Sequence, residues 1–245
     1  MCINRYARPL LLAAVVCLGA CRSAPPYQGM DAQEIYAHAL QAYEGEDWTE
    51  AIRALERLLV TYPSFPQRVE ARLNLARAFM GREEFITAES EFRRLLNTAP
   101  GHELAPEASL GICQAYVGLS PKPQRDQSYT LDAVRACEQT ASDYAGTASA
   151  GQARMLRQGM LEKLAESDYL RGEFYFRRNL IDSALLYYEL VETDFPDTSW
   201  APEAILRIYE ANLRIGYDDV AEEARERLLT DYPDSPAAQA LSNGA

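Results

Sequence analysis

The residues in this chain that could do chemistry are few, and cysteines lead them. Cys21 follows Leu18-Gly19-Ala20, an apolar residue and two small ones, the pattern at which a secreted bacterial precursor is cut and the cysteine lipidated. Arg5 and Arg8 form a short basic start, and Leu10 to Leu18 supply an uncharged apolar run too short for a permanent span. The competing reading is an uncleaved N-terminal anchor helix. Lipidation makes residues 1–20 a signal peptide and gives Cys21 acyl chains, each buried CH2 contributing about 0.8 kcal/mol. Residues 21–30, from Arg22-Ser23-Ala24-Pro25-Pro26 to Gly29, then read as a flexible lipidated tether.

Cys2 and Cys17 leave with the signal, so Cys113 and Cys137 are the remaining thiols. They either form a disulfide, in keeping with an oxidising compartment, or serve as two small buried core residues. The two histidines, His38 and His102, stand far apart without a Cys or Asp cluster at ligand spacing, so no metal site is expected. Acidic clusters such as Glu44-Gly45-Glu46-Asp47 and Glu222-Glu223 fall at turns and helix starts, where carboxylates favour the helix dipole and water. With no phosphate-binding loop, nucleophile elbow or dinucleotide glycine motif, neither an enzyme nor a cofactor is expected. The net charge of −12, near −14 once Arg5 and Arg8 are removed, argues against nucleic acid and anionic lipid surfaces and favours a protein partner. Hydrophobic residues make up 48% of the chain, enough for a substantial core.

The elements that must carry these residues are helices. Ala51, Leu55, Leu58, Tyr62 and Pro63 set a pattern that Ala88, Phe92, Leu95 and Pro100 repeat 37 residues later. Ala184, Tyr188, Val191, Phe195 and Pro196 give it again, as do Ala221, Leu228, Tyr232 and Pro233, with Ala133, Cys137, Thr140 and Tyr144 as a weaker copy. Steps of three and four lie on one helical face, and the proline stops the helix by forcing the residue before it out of the α region. Upstream of each copy lies a second amphipathic segment with a small residue at the point of close approach: Ala39, Ala76, Gly111 and Gly172. The expected fold is therefore all-α, a tetratricopeptide superhelix of about five helix pairs with a concave face. The units run 31–65, 66–100, 104–146, 148–197 and 199–234 within a domain of 31–236, and 237–245 reads as a disordered tail. Helix pairs are expected at 31–44 with 47–61, 66–80 with 84–97, 104–118 with 128–143, 148–178 with 180–194, and 200–214 with 218–231. In the third pair, Ser120-Pro121-Lys122-Pro123-Gln124 marks an exposed loop.

Aromatic residues concentrate in the fourth unit, at Phe174-Tyr175-Phe176 and Tyr187-Tyr188, beside Arg177 and Arg178. Adjacent positions on a helix cannot all face inward, so part of this set looks outward with the composition of an interface hot spot.

A lipidation motif, a tether and five such units closing on Tyr-Pro or Phe-Pro-Asp resemble the BamD family, the lipoprotein subunit of the outer-membrane β-barrel assembly machine. Phe195-Pro196-Asp197-Thr198 and Tyr232-Pro233-Asp234-Ser235 are similar to its repeat ends. Gln124-Arg125-Asp126-Gln127-Ser128 resembles its Arg-Asp-Gln stretch, and Leu170 to Asn179 its tyrosine-pair, Arg-Gly segment. Arg22 in place of an Asp after the cysteine resembles lipoproteins sent on to the outer membrane. The resemblance implies a non-enzymatic scaffold on the periplasmic face of that membrane. Its C-terminal units would bind the periplasmic domains of the barrel subunit BamA, through Phe174, Arg177, Arg178, Tyr187, Arg207 and Arg214. Its N-terminal units would receive unfolded outer-membrane proteins in a groove that includes Tyr36, Tyr43, Arg72 and Phe79. Other lipoproteins of the machine are further candidate partners. The chain departs from the family in two places: Leu186-Tyr187 stands where many relatives carry Asn-Arg, and Ala145 replaces the third unit's closing proline. The alternative is another lipidated tetratricopeptide adaptor, such as a secretin pilotin or an adaptor for cell-wall hydrolases.

Overall fold

A computed structural model describes residues 27–243. The signal peptide, Cys21 and the tether up to Pro26 lie outside the described residues. Among those described, the chain is all helical: α1 (Ala32–Glu44), α2 (Trp48–Thr61), α3 (Arg68–Gly81), α4 (Phe85–Thr98), α5 (Ala105–Leu119), α6 (Ser128–Asp143), α7 (Ala148–Phe176), α8 (Ile181–Asp194), α9 (Trp200–Ile215), α10 (Asp218–Asp231) and α11 (Pro236–Asn243). Through α10, each bound lies within two residues of the range expected from the repeat.

The stops work as the prolines require. Tyr62, Ala99, Phe195 and Tyr232, each followed by proline, are the C-caps of α2, α4, α8 and α10, with ψ values between 46° and 72°. The third unit has no proline here, yet α6 also ends at Tyr144, and Gly146 at φ 85° turns the chain instead. The aromatic caps also make longer-range contacts: the Tyr232 hydroxyl donates to the Pro196 carbonyl of the preceding unit, and the Tyr62 hydroxyl to the Met30 carbonyl just before the first unit. Within units 1, 2, 4 and 5 the two helices meet through one repeated turn. Glu46, Glu83, Asn179 and Gly216 occupy its left-handed position at φ 57° to 81°. The next N–H donates five residues back, from Asp47 to Ala42, Glu84 to Phe79, Leu180 to Tyr175 and Tyr217 to Asn212.

Each helix packs on its neighbours in sequence. In addition, the first helices of successive units pack closely on one another (α1 on α3, α3 on α5, α5 on α7, α7 on α9), whereas the second helices stand farther apart, with α8 and α10 bridged by the Glu192–Arg227 ion pair at 2.8 Å. The inner row is therefore the tighter one, and the solenoid curves with α1, α3, α5, α7 and α9 lining the concave side. The repeat alanines Ala51, Ala88, Ala133, Ala184 and Ala221 are fully buried where helices meet. The same closeness explains two glycines: a Cβ on Gly111 would overlap the Phe92 ring, and one on Gly172 the Tyr188 ring.

The core divides in an informative way. One apolar cluster runs from Ile35 to Ile112 and another from Ala165 to Ala238, with a small group of Leu110, Cys113, Cys137 and Ala153 between them. Where other units place Leu55, Phe92 or Tyr188, the third has Cys137, and where they place Leu58, Leu95, Val191 or Leu228 it has Thr140. Cys113 and Cys137 are joined as a disulfide across α5 and α6, Cα to Cα 4.8 Å. Hydroxyl pairs supplement it, Ser109 with Thr140 at 2.7 Å and Ser120 with Thr130 at 2.7 Å, and the Lys163 ammonium donates to Ser120.

Two expectations need correction. The tail is not disordered up to residue 243, because α11 forms and Ala237 and Ala238 are buried against the last units. The tether is not free to residue 30 either. The Tyr27 hydroxyl donates to Glu50 at 2.6 Å, its ring packs near His38, and Tyr27 and Met30 both lie on the first unit's core.

Candidate functional site

The concave side offers a groove of about 490 Å³ between the first helices of units 1 to 4, with Tyr43, Arg77, Glu107, Gln114, Ser149 and Gln152 among its walls. Arg77 and Glu107 are ion-paired across it. Of the four groove residues expected from the sequence, Tyr43 alone lines it, with its ring edge-on to Trp48. Tyr36, Arg72 and Phe79 are 8%, 7% and 6% exposed and belong to the interior. Tyr36 packs edge-on to Phe65 and accepts from Asn74, and burial raises its pKa. Arg72 is committed to Glu91 at 2.6 Å. The groove residues missed in the sequence left one signal: Arg77 and Gln114 stand 37 residues apart, at equivalent outward positions of α3 and α5.

The expected partner residues of the C-terminal units separate into three settings. Three consecutive rings at the end of α7 point three ways, as 100° steps dictate. Phe174, 45% exposed, lies under the Arg178 guanidinium at 3.5 Å. Tyr175 stacks on Tyr187 of α8, centroids 5.5 Å apart and planes at 5°. Phe176 turns toward unit 5, where Arg214 stands 5.1 Å and Arg207 5.9 Å from its ring centre.

Arg207 is not a presented cation. It lies 2.9 Å from Glu173 and 2.6 Å from Glu210, and donates to the Tyr169 hydroxyl, while the Tyr188 hydroxyl donates to Glu173 at 2.7 Å. Burial pushes the Tyr188 pKa up and the hydrogen bond to Glu173 pushes it further. For Arg207, burial opposes the charge, but the hydrogen bonds it donates to Tyr169 and Glu210 outweigh it and raise its pKa. This network ties α7, α8 and α9 together. Arg177 and Arg214, by contrast, are exposed.

Those two arginines are 37 residues apart, at equivalent places in units 4 and 5, and each is followed three residues later by an exposed apolar side chain, Leu180 or Tyr217. The same turn in unit 1 carries Glu44, Glu46 and Asp47, and in unit 2 Glu83 and Glu84 with Arg82, which is ion-paired to Glu84 at 2.6 Å. The turn edge therefore runs from acidic at the N-terminal end to basic and apolar at the C-terminal end.

Neither histidine joins a reactive cluster. His38 meets Glu50 at 3.0 Å, and His102 Nδ1 accepts from the Leu104 N–H. Among the described residues there is no group of three or more His, Cys, Asp or Glu able to hold a metal, and no helix long and apolar enough to cross a membrane.

Residues 28–228 match the outer membrane lipoprotein family YfiO. The chain belongs to this family. Among its relatives, the outer membrane protein assembly factor BamD of Caulobacter vibrioides is 23% identical over 227 residues, 91% of this chain and 74% of that protein. BamD of Vibrio cholerae is 22% identical over 233 residues, covering 89% and 95%. The resemblance to BamD read from the repeat ends is thus borne out across the YfiO region. A solved structure of the TPR2AB domain of yeast Sti1 in complex with pHSP90 is 14% identical, covering 84% of this chain and 80% of that one at a TM-score of 0.48.

Proposed function

We propose that this YfiO-family protein is a non-enzymatic, lipid-anchored scaffold for outer-membrane protein assembly, binding BamA through its C-terminal units and incoming outer-membrane proteins in its concave groove. A role in assembly is supported by relatives named as assembly factors, matched over 74% and 95% of their own length. The observation that carries the docking reading is the repeated pair at the turn edge, Arg177 with Leu180 and Arg214 with Tyr217. Exposed arginine and apolar or aromatic side chains at fixed spacing have the composition of binding hot spots, and a partner with acidic and apolar groups in matching register would engage both units. For the groove, the wall of Tyr43, Arg77, Glu107 and Gln114 mixes apolar area with polar groups that an extended chain needs for its main-chain N–H and C=O. Lipidation at Cys21 would hold this body on the periplasmic face of the outer membrane.

Co-purification from detergent extracts tests the docking. Arg177→Glu and Arg214→Glu should each weaken recovery of BamA by about tenfold, and the double variant should abolish it. Unchanged recovery with the double variant would show that the turn edge is not the docking surface. Recovery of a secretin without BamA would favour the pilotin alternative.

A further inference from the structure

The disulfide of the third unit lies under the first helix of the unit that follows. Cys113 and Cys137 are both fully buried. Leu110 and Val117 of α5 and Ala136 and Ala141 of α6 pack around them, and α7 supplies Ala153, itself fully buried, and Leu156 to the same group. Two polar contacts hold α7 down on this hairpin. Arg157 lies 3.5 Å from Glu138 of α6, and Lys163 donates to Ser120 just past α5 at 2.9 Å. A disulfide forms or breaks only when a thiolate reaches a sulfur, so in the finished array α7 must lift before either cysteine can react.

The cysteines need nothing beyond their own unit to meet, since they stand 24 residues apart on two helices that pack directly on each other. What the hairpin lacks is apolar bulk, because Cys137 and Thr140 occupy the places of large apolar side chains in the other units. Thr140 spends its hydroxyl on Ser109 and on the Ala136 carbonyl. A reduced hairpin therefore offers α7 a small and loosely fixed platform, whereas a bridged one holds α5 and α6 in the register against which Ala153 fits. The same helix carries Ala148, Ser149 and Gln152, which line the concave groove, so the groove is complete only when α7 is down.

We propose that this chain is the substrate of a thiol–disulfide exchange that precedes assembly of the array: a disulfide-bonded oxidant bridges Cys113 and Cys137 in the open α5–α6 hairpin, and α7 docks on the bridged hairpin afterwards, completing the groove. One cysteine thiolate attacks the oxidant's S–S bond, forming a mixed disulfide and expelling one thiolate of the oxidant. The second cysteine thiolate attacks the first cysteine's sulfur, forming the Cys113–Cys137 bond and expelling the oxidant's other thiolate. The cysteines lose two electrons to the oxidant, and the two protons they release end on its two thiols. The place of this step in the cell rests on the export reading, since an oxidising compartment supplies the oxidant, while the order of steps belongs to the chain and is tested in vitro.

The full mature chain in detergent is compared in two forms, oxidised, or reduced in urea with dithiothreitol and returned to native buffer with the reductant kept. Each cysteine is read on its own peptide by mass spectrometry after iodoacetamide, and α7 by hydrogen exchange over residues 148–163. The reduced chain is expected to label at Cys113 and Cys137 within about tenfold of its rate in urea, and to leave 148–163 unprotected while α1 to α4 stay protected. Oxidised glutathione in place of the reductant should then close the bridge, with protection of 148–163 following it. The oxidised chain should keep its bridge in dithiothreitol about a hundredfold longer in native buffer than in urea. Cys137→Leu combined with Cys113→Ala, which puts the equivalent of Leu55 in place of the bridge, should dock α7 in dithiothreitol with no bridge at all, a gain that misfolding cannot produce. Protection of the thiols and of 148–163 in the reduced wild type, a bridge reduced equally fast in native buffer and in urea, or 148–163 left open in the paired variant would each overturn the proposal.

Discussion

Gly172 shows how much of the fourth unit's surface depends on single contacts. Its missing side chain admits the fully buried Tyr188 ring, and that ring's hydroxyl reaches Glu173, which in turn lies against Arg207. Gly172→Ala is expected to cost about 1–3 kcal/mol, because an enclosed ring cannot move aside. Urea unfolding of the variant, with a midpoint equal to the wild type, would refute this. Single residues were unevenly legible. Ala39, Ala76, Gly111 and Gly172 were readable as close-approach sites because helix packing needs small residues at fixed repeat positions. Tyr36, Arg72 and Phe79 were misread as groove residues because an aromatic or arginine side chain looks alike in sequence whether it faces the groove or the next helix. Arg207 was misread for the same reason, since its carboxylate neighbours come from α7 as well as from α9.

At the level of elements, helix positions followed from periodicity and proline stops, which are local properties. The third unit departs from the rest, and its departure has a cause in composition. Cys137 and Thr140 replace large apolar residues, so the pairing of α5 with α6 rests on the disulfide and on hydroxyl contacts. Closing a loop of 24 residues is worth about 3 kcal/mol through the unfolded chain's entropy. The Cys113→Ser, Cys137→Ser double variant is therefore expected to lose about that much stability, and to lose it first in the middle of the array, where the two larger apolar clusters meet least. Hydrogen exchange should show α5 and α6 opening before α3 or α9. Uniform loss of protection along the chain would contradict this. The sequence left the bridge open because pairing requires both sulfurs to face one another, and helical phase alone does not fix that.

The whole molecule is a curved row with a polarised edge, acidic at the end that follows the lipidation motif and basic and apolar at the other. The first unit holds Tyr27 through Glu50, so the proposed lipidation of Cys21, six residues earlier in sequence, would place that unit no more than roughly 20 Å from the lipid at about 3.5 Å per residue. Cys21→Ala is expected to move the protein from the outer-membrane fraction to the soluble periplasmic fraction with its helical circular dichroism unchanged. Retention in the membrane fraction would mean that protein partners or the uncleaved leader, and not acyl chains, hold it there.

The sequence by itself determined that this chain is helical, where its helices stop, and that they recur as stacked pairs, since propensity, proline stops and helical phase all act within a few residues. Tertiary structure alone decided that Phe174, Tyr175 and Phe176 serve three surfaces, that Arg207 is bound inside while Arg177 and Arg214 are presented, and that α7 packs over the Cys113–Cys137 bridge. Phase places a side chain on one side of its own helix; what stands opposite depends on how residues as much as 43 positions apart, such as Ser120 and Lys163, are brought together.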